Sequence, residues 1–167
     1  MASREKQMNA IEMLEGQHRE VDDLFAQLDE TEDDDECEQL FTQLADKLAI
    51  HAKIEETHFY PAVKASRTED ILMESLEEHL GIKRILADMV EMDADDEHFE
   101  AKLKVLQEQV EHHVEEEEND LFPKVKKLLS QDQLVAIAQE MAAMMAELEG
   151  TDPRLQVPAE TAEAPAI

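Results

Sequence analysis

Two stretches of this chain place a histidine, and one helical turn later a glutamate, in a face that is otherwise apolar. They are HAKIEETHFYP (His51 to Pro61) and HHVEEEENDLFP (His112 to Pro123). In each, a histidine (His51, His113) is followed four residues on by a glutamate (Glu55, Glu117) and ten residues on by a proline. Side chains four apart on a helix are neighbours, about 5–6 Å apart at Cβ. Burying an unpaired imidazole or carboxylate among leucines costs on the order of several kcal/mol. Such residues therefore need a shared partner. Imidazole nitrogen with carboxylate oxygen, and no thiolate, suits iron, manganese or zinc. One histidine can bind an ion while its glutamate reaches inward to bridge to a second. Four terminal histidines and two bridging glutamates would leave coordination positions open for a small molecule.

The elements that must position these groups are legible as apolar seams with alternating steps of three and four. The first seam is Ile11, Leu14, His18, Val21, Phe25 and Leu28, and the second is Phe41, Leu44, Leu48, His51, Glu55 and His58. The third is Leu72, Ser75, His79, Ile82, Leu86 and Met89, and the fourth is Leu103, Leu106, Val110, His113, Glu117 and Asp120. This spacing is the core stripe of helices in a bundle. The first and third superpose with an offset of 61 residues, aligning His18 with His79. The second and fourth superpose with an offset of 62, aligning His51 with His113 and Glu55 with Glu117. The pattern predicts an all-α protein: two helical hairpins related by a pseudo-twofold, forming an up-down-up-down four-helix bundle. At a rise of ~1.5 Å per residue, His51 and His79 sit about 15 Å from the same end of it, so the six side chains can converge.

Acidic connectors, DETEDDDECE and DADDE, join the helices of each hairpin, and the Asp33 to Asp35 run lacks the glycine and spacing of a calcium loop. Pro61 and Pro123 are expected to close the second and fourth helices at equivalent points. Ser130 with Gln133 resembles a capping box that starts a fifth helix, Gln131 to about Leu148, with Met141, Met144 and Met145 on its packing face. The expected units are a bundle over 1–129, an accessory helix over 130–150 and a disordered tail over 151–167.

Composition narrows the partners. Among 167 residues, 43 acids face 15 bases, a formal charge of −28 that repels nucleic acid and anionic membrane. Self-repulsion of that size also means cations or salt should help the chain fold. The single cysteine, Cys37, excludes an intrachain disulfide and a multi-cysteine zinc site. The first residues, MASREKQMNA, hold no apolar core of a signal peptide, and no run reaches transmembrane length. A cytoplasmic protein is expected.

At these residues the chain resembles the hemerythrin-like, or HHE cation-binding, domain from about Met8 to Leu129. That family's pattern is a histidine on helix one, HxxxE on helix two, a histidine on helix three and HxxxE on helix four, with aromatic-proline pairs near the ends of helices two and four. Here these are His18, His51 with Glu55, His79, and His113 with Glu117, with FYP and LFP as the endings. The resemblance implies a carboxylate-bridged di-iron centre, two irons per chain, binding oxygen or a related diatomic ligand. Peroxidase-like or nitric-oxide-related chemistry is the alternative it implies, and a metal-free interaction bundle is the alternative from another class. Family members that carry oxygen have HxxxH on helix three, where this chain has Lys83. They also use a carboxylate five residues after the fourth-helix histidine, here Glu118; Glu117 is preferred because it stays on the seam and matches Glu55. A ferritin-like ExxH pattern fits Glu15/His18 and Glu55/His58, but the second half breaks it. His58 and Asp120, one turn past the glutamates, are expected as additional ligands or as partners that orient ligands and deliver protons. Tyr60 reads as helix-end packing, and His98 and His112 as surface.

Overall fold

A computed structural model of the chain describes residues 6–167. Residues 1–5, which open both the expected 1–129 unit and the stretch searched for a signal peptide, lie outside the described residues. Helix α1 (Ala10–Glu30) starts at Asn9, whose side chain accepts from the Glu12 N–H while Glu12 accepts from the Asn9 N–H. Helix α2 (Asp34–Ile54) starts at Asp33, whose side chain accepts from the Glu36 N–H, which gives the acidic connector a structural use. A π-helical turn (Glu55–Phe59) carries α2 into α3 (Tyr60–Val63). Helix α4 (Glu69–Val90) and helix α5 (Phe99–Glu116) form the second hairpin. A second π-helical turn (Glu117–Leu121) leads into α6 (Phe122–Leu128), and α7 (Gln131–Leu148) follows.

The fold is an all-helical bundle, as the seams predict: α1 packs on α2 and α4 on α5. Leu14, Phe25, Leu44, Leu72, Leu86 and Leu106 are buried. The apolar core forms two clusters, one around Ile54, Phe59, Leu72 and Phe122, the other around Phe25, Leu44, Leu86 and Leu106. The buried polar residues of the four seams lie between them. Helix α7 begins at the expected capping box of Ser130 and Gln133, and it lies against α1 and α2 through Leu134, Ala138 and Met141.

Two expectations are corrected. Pro61 and Pro123 do not end their helices, which continue to Val63 and Leu128. In each π turn the N–H before the proline bonds five residues back, Tyr60 to the Glu55 carbonyl and Phe122 to the Glu117 carbonyl. The ladder is thereby reset, and each proline occupies a first-turn position where no N–H is needed. The tail over 151–167 is not disordered throughout. Gly150 (φ 76°) and Asp152 (φ 53°) reverse the chain after α7. A 3-10 helix (Pro153–Glu160) then straps across α2 and α4. Composition hid its anchors, which are long-range: Val157 is buried, Arg154 pairs with Asp46 at 3.0 Å, and Arg84 donates to the Thr161 carbonyl. Among the described residues no helix is long and apolar enough to cross a membrane.

Candidate metal centre

The seams bring His18 from α1, His51 from α2, His79 from α4 and His113 from α5 into one buried layer with Glu55 and Glu117, both of which are wholly inaccessible. Two sets of donor atoms form there. His18, His51, Glu55 and Glu117 make one, and Glu55, His79, His113 and Glu117 make the other. The two glutamates belong to both. His18 Nε2 lies 3.3 Å from Glu117 Oε2, His113 Nε2 lies 3.3 Å from Glu117 Oε1, and His51 Nε2 touches Glu55 Oε1. His79 Nε2 and His113 Nε2 are 3.1 Å apart.

The outer nitrogens explain why the inner ones are orphaned. His18 Nδ1 donates to Glu118 (3.0 Å), His79 Nδ1 to Glu56 (2.9 Å) and His113 Nδ1 to Glu78 (3.0 Å). His51 Nδ1 donates to the Gln17 oxygen at 2.6 Å, and Gln17 is oriented by its own N–H bond to Met145 Sδ. With every Nδ1 committed as donor, each neutral ring turns an Nε2 lone pair inward. Two such lone pairs 3.1 Å apart repel unless a positive charge lies between them. His18 Nε2, His51 Nε2, both Glu55 oxygens and Glu117 Oε2 are buried without a hydrogen bond. Buried polar atoms are rarely left so. N/O edges of about 3.0–3.4 Å are what ligands 2.0–2.1 Å from one ion would show. The two donor sets could each hold a metal ion.

In the metal-free chain, protons must supply the positive charge. Burial works against a charged His113, but Glu117 and Glu78 overcome it and push the imidazole up to about 10. Burial and the neighbouring Glu117 drive the Glu55 carboxyl well above the usual range. Burial would raise Glu117 as well, yet His113 and its other hydrogen-bond partners hold it well below. Burial lowers His51, with His18 adding to the effect, and burial lowers His79 against the pull of Glu56.

His58 and Asp120 do not reach this layer. Each π turn holds one residue more than an α turn, so the inward phase passes from Glu55 to Phe59 and Tyr60, and from Glu117 to Leu121 and Phe122. His58 faces Glu140 of α7 instead, and Asp120 is exposed. Tyr60, expected only to pack, takes the inward place: its hydroxyl donates to Glu117 Oε1 at 2.5 Å and lies 3.2 Å from His79 Nε2. Burial raises its phenol well above the ordinary range, with Glu117 adding to this. Glu118 is half-buried and ties His18 to Arg19, which donates to it at 2.7 Å. Lys83 is buried, 2.8 Å from Glu56, and so supports His79 at one remove. The repeat held the signal for the outer partners that sequence reasoning missed. Gln17 and Glu78 are 61 apart, and Glu56 and Glu118 are 62 apart, the offsets of the histidines and glutamates themselves.

A cavity of about 30 Å³ adjoins the layer, lined by the four histidines, Leu48, Ile82, Lys83 and Val157 of the strap. One water needs roughly 10–15 Å³, so the space is small, that of one or two waters.

Comparison with known proteins agrees with this geometry. Residues 9–125 match the model of the hemerythrin HHE cation binding domain. A solved hemerythrin HHE cation binding domain-containing protein from Mycobacterium kansasii superposes with a TM-score of 0.75 at 26% identity, over 86% of this chain and 89% of that one. A DNA nickase from Nostoc sp. (strain PCC 7120 / SAG 25.82 / UTEX 2576) is 27% identical over 147 residues, 88% of this chain. The chain spans only 42% of that relative's length. The chain belongs to the hemerythrin HHE cation-binding family.

Proposed function

We propose that this chain holds two iron ions in the buried layer and binds oxygen or a related diatomic molecule in the adjoining cavity. His18 and His51 would serve one ion, His79 and His113 the other, with Glu55 and Glu117 bridging both. Manganese or zinc would suit the same donors. The observation that carries this reading is the set of inward Nε2 lone pairs and unpartnered glutamate oxygens, held in place from outside by four separate hydrogen bonds. A reduced iron pair, when bound, would supply two electrons to such a ligand. The chain's own residues do the rest: Leu48, Ile82 and Val157 keep the cavity dry, and the outer partners fix each imidazole.

A second reading, turnover of oxygen, peroxide or nitric oxide rather than reversible binding, is favoured by Tyr60. Its hydroxyl is a hydrogen-bond donor inside the layer, aimed at a carboxylate of the site. The activity named for the Nostoc relative is not carried over, because this chain spans 42% of that protein and its charge of −28 would repel phosphate.

Iron-replete expression should give two irons per chain, and the reduced protein should change its optical spectrum on exposure to air. A protein without stoichiometric metal, or a reduced spectrum indifferent to air, would overturn the proposal.

A further inference from the structure

Outside the buried layer, His112 and Glu116, one turn apart on α5, meet Glu78 of α4. His112 Nε2 lies 3.2 Å from Glu116 Oε1 and 3.3 Å from Glu78 Oε2. These are again the edges of about 3.0–3.4 Å expected around one ion with 2.0–2.1 Å bonds. The second observation is Glu78 Oε2 itself. It is buried with no hydrogen bond, because the approach of His112 lacks hydrogen-bonding geometry. Its sister oxygen is occupied, accepting from His113 Nδ1. The equivalent place on the first hairpin is different: Gln17, Ile50 and Ile54 stand there, and α7 covers them. On the second hairpin, among the described residues, no helix covers the position, where His112 is exposed, and polar donors replace the isoleucines.

We propose that Glu78, His112 and Glu116 form a third cation site, for a divalent first-row metal ion with water completing its shell. The ion would be joined to the buried layer through Glu78, a link that rests on the reading of that layer given above. One imidazole with two carboxylates suits Zn²⁺, Co²⁺ or Fe²⁺, and the strongly acidic surface raises the local concentration of any divalent ion.

The test uses the full chain with its buried layer loaded with iron, titrated with Co²⁺ in high KCl and followed by absorbance and by equilibrium dialysis. One additional Co²⁺ per chain is expected. His112→Ala with Glu116→Ala should abolish that ion and leave the iron content unchanged. Glu115→Ala, which removes one exposed charge from the same helix, should keep it. No additional stoichiometric Co²⁺ in the unaltered chain, an undiminished ion in the double variant, or equal loss in the Glu115 variant would overturn the site. If iron does not load but the single Co²⁺ binds and depends on His112, the surface site stands and the reading of the buried layer fails.

Discussion

The two hairpins present matching polar groups to the centre, and the informative positions are those where the match breaks. His18 pairs with His79, His51 with His113, Glu55 with Glu117 and Glu56 with Glu118, each by the repeat. Gln17, however, stands where the second hairpin has Glu78, and Phe122 stands where the first has Tyr60. His51 therefore leans on a neutral amide and His113 on a carboxylate. Phe122 stacks beside His18 at 6.1 Å between centroids, whereas Tyr60 brings a hydroxyl to His79. A carboxylate behind an imidazole raises its basicity as a ligand. In the proposed reading the His79/His113 position would accordingly be the tighter one, and it is the one with a hydroxyl at hand. The repeat supplies a symmetric frame, and these two differences beside the histidines make its halves unequal.

The largest effect should come from what the halves share. Glu55→Ala combined with Glu117→Ala removes a ligand from both positions twice over, and metal analysis should find less than a tenth of the iron. A variant that keeps even one iron per chain would mean that the glutamates do not bridge.

Next in size are substitutions that make the halves alike. Glu78→Gln gives the second half the first half's amide and should weaken the ion at His79/His113 by roughly 10–100-fold. Chelator competition on the unaltered protein should show two phases, and in this variant they should merge. Gln17→Glu should narrow the gap from the other side. Should Glu78→Gln leave the phases apart, the outer partners do not set the difference.

Protons give a third handle. In the metal-free chain His113, pushed up to about 10, keeps its proton at neutral pH, and burial with the neighbouring Glu117 moves Glu55 in the same direction. An entering cation must displace such protons, so loading should release them and affinity should fall as pH falls. The sign for folding is the opposite. The raised His113 stabilises the metal-free chain fully below the ordinary histidine range, and that stabilisation is lost as pH rises towards 10. The gap in Tm between metal-loaded and metal-free protein should therefore widen as pH rises. An ion at one hundred times its Kd adds ~2.7 kcal/mol, on the order of 5–10 °C in a chain of this size. Low salt should lower both transitions, since 43 acids repel one another. A weakly buffered titration that releases no protons would contradict the scheme.

How much of this was legible in the sequence follows from the range of the interactions involved. Periodicity is local, so the seams, the capping box at Ser130 and the convergence of His18, His51, His79 and His113 could be read directly. The repeat then singled out Glu117 over Glu118, and Glu117 is the one in the buried layer. What failed was the assumption of an unbroken 3.6-residue period. A π turn leaves no reliable residue signature, and one extra residue moves His58 and Asp120 outward while it turns Tyr60 inward. The strap was missed for another reason. Its proline- and alanine-rich composition is that of a tail, and its anchors, Asp46 and Arg84, lie about a hundred residues or more and some eighty residues away in sequence.

The smallest expected effect on metal, and the sharpest on ligand lifetime, concerns Tyr60 against Phe122. Tyr60→Phe makes the second half a copy of the first at this position and removes the one hydroxyl that donates to Glu117. The ring still fills its place against Phe59, so packing should survive, and no histidine or glutamate is lost, so iron content should stay within error. Proton delivery should not survive. The cavity keeps its lining of Leu48, Ile82 and Val157 beside the histidines and Lys83, so the spectrum produced by air should persist several-fold longer in stopped-flow absorbance. His58→Leu, by contrast, should change nothing, because His58 points to Glu140 on the far side of the π turn. The two variants separate the possibilities cleanly. If His58→Leu prolongs the signal and Tyr60→Phe does not, protons arrive along the unbroken seam, and the π turns do not have the role given them here.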